Sequence, residues 1–456
     1  MHFSDLLANQ RQYFKAQNTK TLAARKSTLK RFKQLLQENE AKIYEAVNAD
    51  FQKSEYEAFL TEWAILIKDI DEALGALPKW MKAQKVRTNL VNLPGKSYLM
   101  PEPLGICLVI GAWNYPMQLS FAPAIAALAA GNTVILKPSE LAANSAKCMA
   151  DLVAQYFDPR LFTVVLGGVA ETTALLEERF DKIFFTGSPA VGRIVYQAAA
   201  KHLTPVTLEL GGKSPAILTP SADLPKAIKR LVWAKFLNAG QTCIAPDYLF
   251  IHESIYRECL ALLQQEIENN QYALTNKNYV QIINERNLDR LEQLLVKDKI
   301  AFGGAINREK RSISPTLLKD VSYDDAVMQQ EIFGPILPLL PYTKFEDALS
   351  YIQEHEKPLS AYLFSNDKAE QAAWLGNLSF GGGCINDAIM HITNPNLPFG
   401  GVGQSGTGSY HGKAGFDTFS HLKSVFKKPS LFEVPLKYPP YTAVKMNWIK
   451  RLLKLS

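Results

Sequence analysis

Apolar and polar positions follow three successive patterns along this chain. Over residues 4–77 the apolar positions recur at helical spacing, which predicts helices. One predicted helical face carries large apolar side chains at Leu22, Leu29, Phe32, Leu35 and Leu36. Residues 86–101 alternate around a Pro-Gly pair, which predicts a β-hairpin. From Gly105 onward, short apolar runs alternate with helical patterns.

The alternating region predicts a parallel sheet. Apolar strand candidates lie at 105–111, 133–137, 162–166, 183–186 and 206–210. Helical patterns lie between them at 117–130, 144–156, 169–178 and 189–200. Strands joined by helical crossovers predict a doubly wound parallel sheet, whose ligands bind at the carboxyl ends of the strands. A second αβ series runs from 214 to about 410 and includes 216–219, 224–237, 248–252 and 254–269. The predicted fold class is therefore α/β, with a cleft between two αβ units.

Composition fits a large globular protein. The 456 residues are long enough for two or three domains, and 47% of them are hydrophobic. The 50 basic and 44 acidic residues give a net charge of +6 that is spread along the chain. Such a surface is not the footprint of a nucleic-acid partner.

The cysteine pattern and the lack of a visible signal peptide predict a cytoplasmic location. The five cysteines show no CxxC spacing, so neither a disulfide framework nor a metal site is predicted. Core packing is the interpretation for Cys107, Cys148, Cys259 and Cys384. No signal peptide is visible, and the longest apolar stretch, 119–130, is too short for a membrane span. A cytoplasmic, reducing location would suit a reactive thiol.

Two segments carry candidate chemistry. NAGQTC (238–243) places Cys243 in a small, polar segment after a helix pattern, and LELGGKSP (208–215) places Glu209 where a strand ends. A lone cysteine is usually a core thiol, but the polar, glycine-containing surroundings of Cys243 are unlike a core. A thiol and an acid are the two groups needed to form a thioester and then hydrolyse it.

Seven motifs extend this interpretation to a family. In chain order they are GAWNYP (111–116), GNTVILKPSE (131–140), FTGSPAVG (185–192), LELGGKSP (208–215), NAGQTC (238–243), EIFGP (331–335) and LPFGGVGQSGTGSYHG (397–412). With them the chain resembles the NAD(P)-dependent aldehyde dehydrogenases over nearly its whole length. The last motif, the YHGKAGF and YPPY after it, and the short N-terminus resemble the class 3 or fatty-aldehyde branch.

The resemblance implies the aldehyde-dehydrogenase-like fold and its division. A Rossmann-type cofactor domain would comprise residues 1–83 and 103–210, and an αβ catalytic domain would comprise 211–410. Residues 84–102 and 420–436 would form small β oligomerisation elements, and 441–456 would form an amphipathic C-terminal tail. A homodimer is the expected assembly.

It also implies catalytic roles. Cys243 would attack the aldehyde, and the side-chain amide of Asn114 with the backbone N–H of Cys243 would hold the oxyanion. Glu209 would activate the water that hydrolyses the thioester. Without the resemblance, Asn114 is interpreted as a helix N-cap or turn residue before Pro116.

The cofactor site lacks the GxGxxG fingerprint. In its place, TGSPAVG (186–192) forms a strand-to-helix turn whose N–H groups can face a phosphate. Taken alone, such a turn is more often simple helix capping, but the resemblance implies that it lies beside the pyrophosphate. The resemblance implies that Lys137 and Glu140 meet the adenosine ribose; otherwise they form a surface ion pair. Glu140 favours NAD and Lys137 offsets that preference, so NAD and NADP both stay open. The predicted cofactor-binding residues are Trp113, Lys137, Glu140, Gly187, Ser188, Gly192, Glu331 and Phe333.

The substrate is predicted only by class. Tyr115, Trp233 and His391, together with Tyr410, are candidate aromatic walls for a medium- or long-chain aliphatic or an aromatic aldehyde, although each could be a core residue. Glu209 favours hydrolysis over an acyl-transferring reaction. A non-catalytic lens-type protein of this fold would be expected to lose Cys243 or Glu209.

The C-terminal tail is basic and amphipathic. The residues predicted to share one helical face are Trp448, Ile449, Leu452 and Leu455, with Lys450, Arg451 and Lys454 off it. Some fatty-aldehyde relatives carry a gatekeeper helix followed by a membrane span. This chain stops before a span, so we expect its tail to narrow the substrate tunnel and contact anionic membranes weakly. Docking on its own or a partner subunit is the alternative.

Overall fold

The computed structural model describes residues 3–431 and 433–454 of an α/β protein. Its α-helices are α1 Phe3–Lys15, α2 Leu22–Glu38, α3 Glu40–Phe51, α4 Glu55–Ala58, α5 Ala64–Trp80, α6 Pro116–Ala130, α7 Ala143–Tyr156, α8 Val169–Leu176, α9 Pro189–Ala200, α10 Leu224–Phe236, α11 Tyr256–Asn269, α12 Glu285–Glu292, α13 Ala326–Gln329, α14 Phe345–Glu354, α15 Lys368–Asn377, α16 Gly412–Thr418 and α17 Ala443–Leu452. Its strands are β1 Gln84–Val86, β2 Lys96–Pro103, β3 Ile106–Ile110, β4 Thr133–Lys137, β5 Phe162–Val164, β6 Lys182–Gly187, β7 Val206–Leu210, β8 Pro215–Leu218, β9 Tyr248–His252, β10 Ile300–Phe302, β11 Ile306–Asn307, β12 Ser312–Ile313, β13 Thr316–Leu318, β14 Ile336–Tyr342, β15 Ser360–Phe364, β16 Gly382–Ile385, β17 Gly406–Thr407 and β18 Ser420–Lys427.

The predicted N-terminal helices are confirmed. The side chain of Thr21 accepts a hydrogen bond from the N–H of Ala24 and caps α2. On α2 the predicted face is buried at Leu29, Phe32, Leu35 and Leu36, whereas Leu22 is only half-buried. A π-helical turn, Phe59–Trp63, separates α4 from α5.

The first large sheet has six strands in the order β17-β7-β6-β3-β4-β5. The five predicted strands all pair in parallel, and β17 adds antiparallel to the edge at β7. Along β3, Ile106 and Leu108 belong to one buried cluster while Cys107 and Val109 belong to another. Helices therefore cover both faces of this sheet, as in a doubly wound fold, and the parallel strands end at one edge.

The second large sheet has seven strands in the order β10-β13-β14-β9-β8-β15-β16. Every pairing in it is parallel except that of β10 with β13. Its strands β8 and β15 are wholly buried, which explains their near-continuous apolar sequence. The segment that connects β7 to β8 crosses from the first sheet to the second.

The predicted hairpin is confirmed as the pair β1 and β2, with β2 extending further than the sequence pattern suggested. The strand β18 completes an antiparallel sheet in the order β1-β2-β18 and pairs with β2 along its whole length. Large apolar side chains stay exposed on these strands and the turn between β1 and β2: Val86, Leu90, Val91, Leu93, Met100, Leu422 and Phe426.

The tail forms the helix α17, whose first turn is capped by the hydroxyl of Thr442. No residue of α17 is buried, and Trp448 remains 57% exposed. Ile449 is half-buried and Leu452 is exposed, while Leu455, predicted on the same face, lies outside the described residues. Among the described helices none is long and apolar enough to cross a membrane.

Candidate active site

A cavity of about 1350 Å³ opens at the carboxyl ends of β3, β4, β6 and β7. Its lining also includes Cys243 and residues 328–331 and 333, which belong to the part of the chain that builds the second sheet. The predicted site residues that line it are Trp113, Asn114, Lys137, Glu140, Gly187, Ser188, Glu209, Cys243, Glu331 and Phe333. Gly192 lies in α9, where a side chain would collide with Leu210.

Cys243 follows α10 and a tight turn. Asn238 and Ala239 adopt positive φ angles of 53° and 52°. Gly240 has a φ of +70°, and a Cβ there would collide with the carbonyl oxygen of Gly334. The NAGQTC motif thus allows a reversal of the backbone directly before the thiol.

The Cys243 thiol is held in its protonated form. Burial raises its pKa, and the nearby carboxylates of Glu331 and Glu209 raise it further. The nearby backbone N–H groups of Cys243 and Ile244 oppose this rise. Nucleophilic attack by this sulfur therefore requires the loss of a proton to a nearby base.

Glu209 lies in β7, opposite Thr186 of β6 and Gly406 of β17. Its side chain is buried, and neither carboxylate oxygen has a hydrogen-bond partner among the described residues. Burial alone raises its pKa well above the ordinary value for glutamate. A buried carboxylate without partners can accept a proton or bind a water molecule.

Asn114 is buried in the loop after β3, one residue before the N-cap of α6. Its side-chain Nδ2 donates to the backbone carbonyl of Gln241 at 3.0 Å. Its backbone carbonyl accepts from Nδ2 of Asn238 at 2.9 Å. Since an amide nitrogen carries two hydrogens, one donor of Asn114 remains for the cavity.

Glu331 and Phe333 also line the cavity. Burial, with repulsion from Asp247, raises the pKa of Glu331 to about 8. Phe333 has a φ of +48°, and its ring meets that of Trp113 edge-on at a centroid distance of 5.3 Å. Lys213 pairs with Asp247 at 2.5 Å.

Lys137 and Glu140 do not form an ordinary surface pair. The ammonium group of Lys137 is buried, donates to the carbonyl of Pro138 at 2.8 Å and lies 3.7 Å from the exposed carboxylate of Glu140. Burial lowers the pKa of Lys137. The lining therefore contains a buried cation at the end of β4.

The turn at the start of α9 has the predicted form. Ser188 is the N-cap, and its hydroxyl accepts from the N–H of Val191 at 3.4 Å. The neighbouring Thr186 hydroxyl is buried without a partner among the described residues. Val191 and Ile194 of α9, with Val169 of α8, expose apolar surface to the cavity. These residues were not predicted from the sequence, where their only signal is an apolar position on an exposed helix face.

The candidate substrate walls do not belong to the lining of this cavity. The rings of Tyr115 and Tyr410 are buried, and Trp233 is half-buried on α10. His391 lies between Ser360 Oγ, 3.3 Å from its Nε2, and Cys384 Sγ, 3.5 Å from its Nδ1. Burial lowers the pKa of His391 to about 4, so its ring is neutral.

The other cysteines divide into two pairs. Cys107 and Cys259 are buried in the core, as predicted, whereas Cys148 and Cys384 are only half-buried at its edge. Core packing was therefore too simple a prediction for the last two.

Comparison with known proteins identifies the family. Residues 2–425 match the aldehyde dehydrogenase family. The mouse (Mus musculus) protein named aldehyde dehydrogenase family 3 member A2 is 44% identical and covers 97% of this chain and 92% of its own length. A 4,4'-diaponeurosporen-aldehyde dehydrogenase of Staphylococcus aureus is 45% identical, with 97% of each protein covered. An aldehyde dehydrogenase of Rattus norvegicus, named dimeric NADP-preferring, is 44% identical and covers 96% of this chain and 98% of its own.

The fold agrees with these sequence relationships. A solved structure described as the substrate-bound state of Staphylococcus aureus AldH has a TM-score of 0.97 and 44% identity, and 99% of each chain is covered. The chain therefore belongs to the aldehyde dehydrogenase family. It is an aldehyde dehydrogenase with NAD or NADP as its cofactor, and the predicted similarity to the class 3 branch is confirmed.

Proposed function

We propose that this enzyme oxidises a medium- or long-chain aliphatic or an aromatic aldehyde to the free carboxylic acid through a thioester on Cys243. The observation that carries the proposal is the shared cavity of Cys243 and Glu209, in which both oxygens of Glu209 lack a partner among the described residues. A nucleophilic thiol and an unsatisfied acid are the groups that thioester formation and hydrolysis require.

The lining residues fit a dinucleotide. The buried cation of Lys137 and the carboxylate of Glu140 suit a ribose, and the N-terminus of α9 suits a pyrophosphate. The unpartnered hydroxyl of Thr186 and the exposed apolar side chains beside it suit further contacts. Glu331, Phe333 and Trp113 would meet the nicotinamide end. When bound, the oxidised nicotinamide supplies the hydride acceptor of the reaction.

The chain's own groups carry the remaining steps. The Cys243 sulfur gives its proton to solvent water and attacks the carbonyl carbon, and the free amide hydrogen of Asn114 with the backbone N–H of Cys243 binds the oxyanion. After hydride loss the product is a thioester. Glu209 then takes a proton from water, whose oxygen attacks the thioester and releases the acid and the thiol.

An aldehyde panel assayed with NAD and with NADP tests this proposal. We expect NADH or NADPH and free carboxylic acid in equal amounts, with apolar or aromatic aldehydes preferred over short polar ones. Addition of coenzyme A or phosphate should change neither rate nor product. A strict requirement for either acceptor would mean that the enzyme transfers the acyl group instead of hydrolysing it.

We also propose the division into domains that the sequence suggested, with a homodimer formed through residues 84–102 and 420–436. The exposed apolar side chains of the β1-β2-β18 sheet support the dimer, because such a surface is typical of an interface. The name of the rat relative, dimeric, points the same way. Sedimentation of Leu422→Asp should give a monomer where the wild type gives a dimer, and an unchanged dimer would contradict this interface.

For the tail we propose weak contact with anionic membranes, in a cytoplasmic protein. The support is the exposure of Trp448 and Leu452 beside Lys450 and Arg451. Truncation after Tyr441 should reduce binding to phosphatidylserine vesicles at low salt and change the preference for aldehyde chain length. Unchanged binding and preference would assign the tail a structural role only.

A further inference from the structure

The residues on both sides of Cys243 are hydrogen-bonded to buried tyrosines. The hydroxyl of Tyr115 lies 2.6 Å from Oγ1 of Thr242, and the hydroxyl of Tyr362 donates to the carbonyl of Ile244 at 2.6 Å. Both tyrosine side chains are buried, so neither hydroxyl exchanges freely with water. The catalytic segment 242–244 is thus fixed through one side chain and one backbone carbonyl.

The two tyrosines come from different parts of the fold. Tyr115 is the N-cap residue of α6, in the loop that follows β3 of the six-stranded sheet, and comes one residue after Asn114. Tyr362 lies in β15, between β8 and the edge strand β16 of the seven-stranded sheet. Hydrogen bonds therefore connect the segment 242–244 to the N-terminus of α6 and to β15 of the seven-stranded sheet. The first of these contacts adjoins Asn114, the oxyanion donor.

The ring of Tyr115 is itself immobilised. The ammonium group of Lys53 lies 4.6 Å from the centre of this ring and 3.1 Å from the carboxylate of Glu62. Glu62 also accepts from the backbone N–H groups of Met117 and Gln118, in the first turn of α6. Lys53 and Glu62 are wholly buried, so this support excludes solvent.

We propose that Tyr115 and Tyr362 are positioning residues that hold Cys243 in register with Asn114 through their hydroxyl groups, Tyr115 acting through Thr242. The proposal rests on the role of Cys243 as nucleophile. The ring of Tyr115 faces Lys53, and its hydroxyl is engaged by Thr242.

The substitutions Tyr115→Phe and Tyr362→Phe each remove one hydroxyl. For both we expect kcat to fall by about 10- to 100-fold, because small misplacements of a reacting atom are costly. The KM should change little, and the fall should be the same for every aldehyde of a panel. Alkylation of Cys243 by iodoacetamide, mapped on its peptide without aldehyde present, should slow as well. A tunnel wall would instead alter KM and the order of preference among aldehydes, which would overturn the proposal.

Tyr342→Phe is the matched control. The Tyr342 hydroxyl is also buried and donates to a backbone carbonyl, that of Leu218 at 3.2 Å, in the same sheet as Tyr362. This variant should shift Tm about as much as Tyr115→Phe and Tyr362→Phe do. Its kcat should equal that of the wild type. Equal losses of kcat in the control and in the two test variants would show that only general stability was affected, and would also overturn the proposal.

A second pair of variants changes Thr242, the other partner in the hydrogen bond of Tyr115. Thr242→Ser keeps the hydroxyl and should retain kcat to within about threefold, whereas Thr242→Val should behave like Tyr115→Phe, since a lost partner leaves the other group unsatisfied. Wild-type kcat in Thr242→Val would contradict the proposal even if the tyrosine variants fail to fold. A fully active Cys243→Ser variant would instead contradict the proposed function itself.

Discussion

Two buried glutamates of this protein have opposite surroundings. Glu62, behind the catalytic segment, accepts from Lys53 through one oxygen and from the N–H groups of Met117 and Gln118 through the other, each at 3.1 Å. Glu209, in the cavity, has no partner for either oxygen among the described residues. Burial raises the pKa of both, but Lys53 and the two N–H groups oppose the rise only at Glu62.

The difference separates a structural acid from a reactive one. Burial of a carboxylate costs free energy unless hydrogen bonds and an opposite charge compensate it. At Glu62 these contacts offset part of that cost, and the acid also lies at the N-terminus of α6, where negative charge is favoured. At Glu209 it is missing, which is the pattern of a group kept for proton transfer.

The largest effect should come from removing the nucleophile that Glu209 faces. Cys243→Ser should reduce aldehyde-dependent NADH formation by more than about 10⁴-fold, as loss of a covalent nucleophile does elsewhere. Binding of NAD, measured by calorimetry, should stay close to that of the wild type. Comparable NADH production by the variant would remove Cys243 from the mechanism.

Glu209→Gln addresses the unpartnered acid. We expect steady-state turnover to fall by about 10²–10⁴-fold, because general-base catalysis of this size is lost. Stopped-flow absorbance should still show a burst of NADH, and Tm should not fall, since no hydrogen bond is broken. Loss of the burst together with turnover would mean that Glu209 mainly activates Cys243.

Lys53→Met addresses the partnered acid. It leaves Glu62 buried without its cation, so the free energy of unfolding in urea should fall by about 3–5 kcal/mol. The double variant Lys53→Met, Glu62→Leu should recover much of this loss because it removes both charges. If Lys53→Met were as stable as the wild type, Glu62 would not be the structural acid of the pair.

Asn114→Ala has the smallest expected effect of this series. Its amide is half satisfied: one hydrogen is used by Gln241 and the other is free for the oxyanion. The value of kcat should fall by about 10²–10³-fold, the usual cost of one oxyanion donor. An unchanged kcat, measured where chemistry limits the rate, would exclude Asn114 from this role.

Local sequence patterns predicted much of the fold. The parallel strands of the first sheet were placed to within two residues, because uninterrupted apolar runs bounded by helical patterns mark buried strands. The pairing of β18 with β2 was not predicted, since the two strands are more than 300 residues apart and their exposed residues alternate weakly.

The candidate catalytic residues were predicted from motifs, but the buried residues that pack behind them were not. Cys243 and Glu209 were singled out by their positions at the ends of elements, and the structure brings them to one cavity. Lys53 and Glu62 were overlooked within a region interpreted only as amphipathic helices. A charged residue in such a pattern is normally assigned to the solvent face, and only the tertiary contact with Tyr115 shows otherwise.

The central claim is that an acyl group passes through Cys243 and is released by water that Glu209 activates. Rapid quenching of Glu209→Gln with NAD and aldehyde, followed by mass spectrometry of the peptides, measures this directly. The account predicts that the acyl group accumulates on the peptide containing Cys243 as the NADH burst forms, and that the wild type carries much less. A burst of NADH without acylation of that peptide would contradict it.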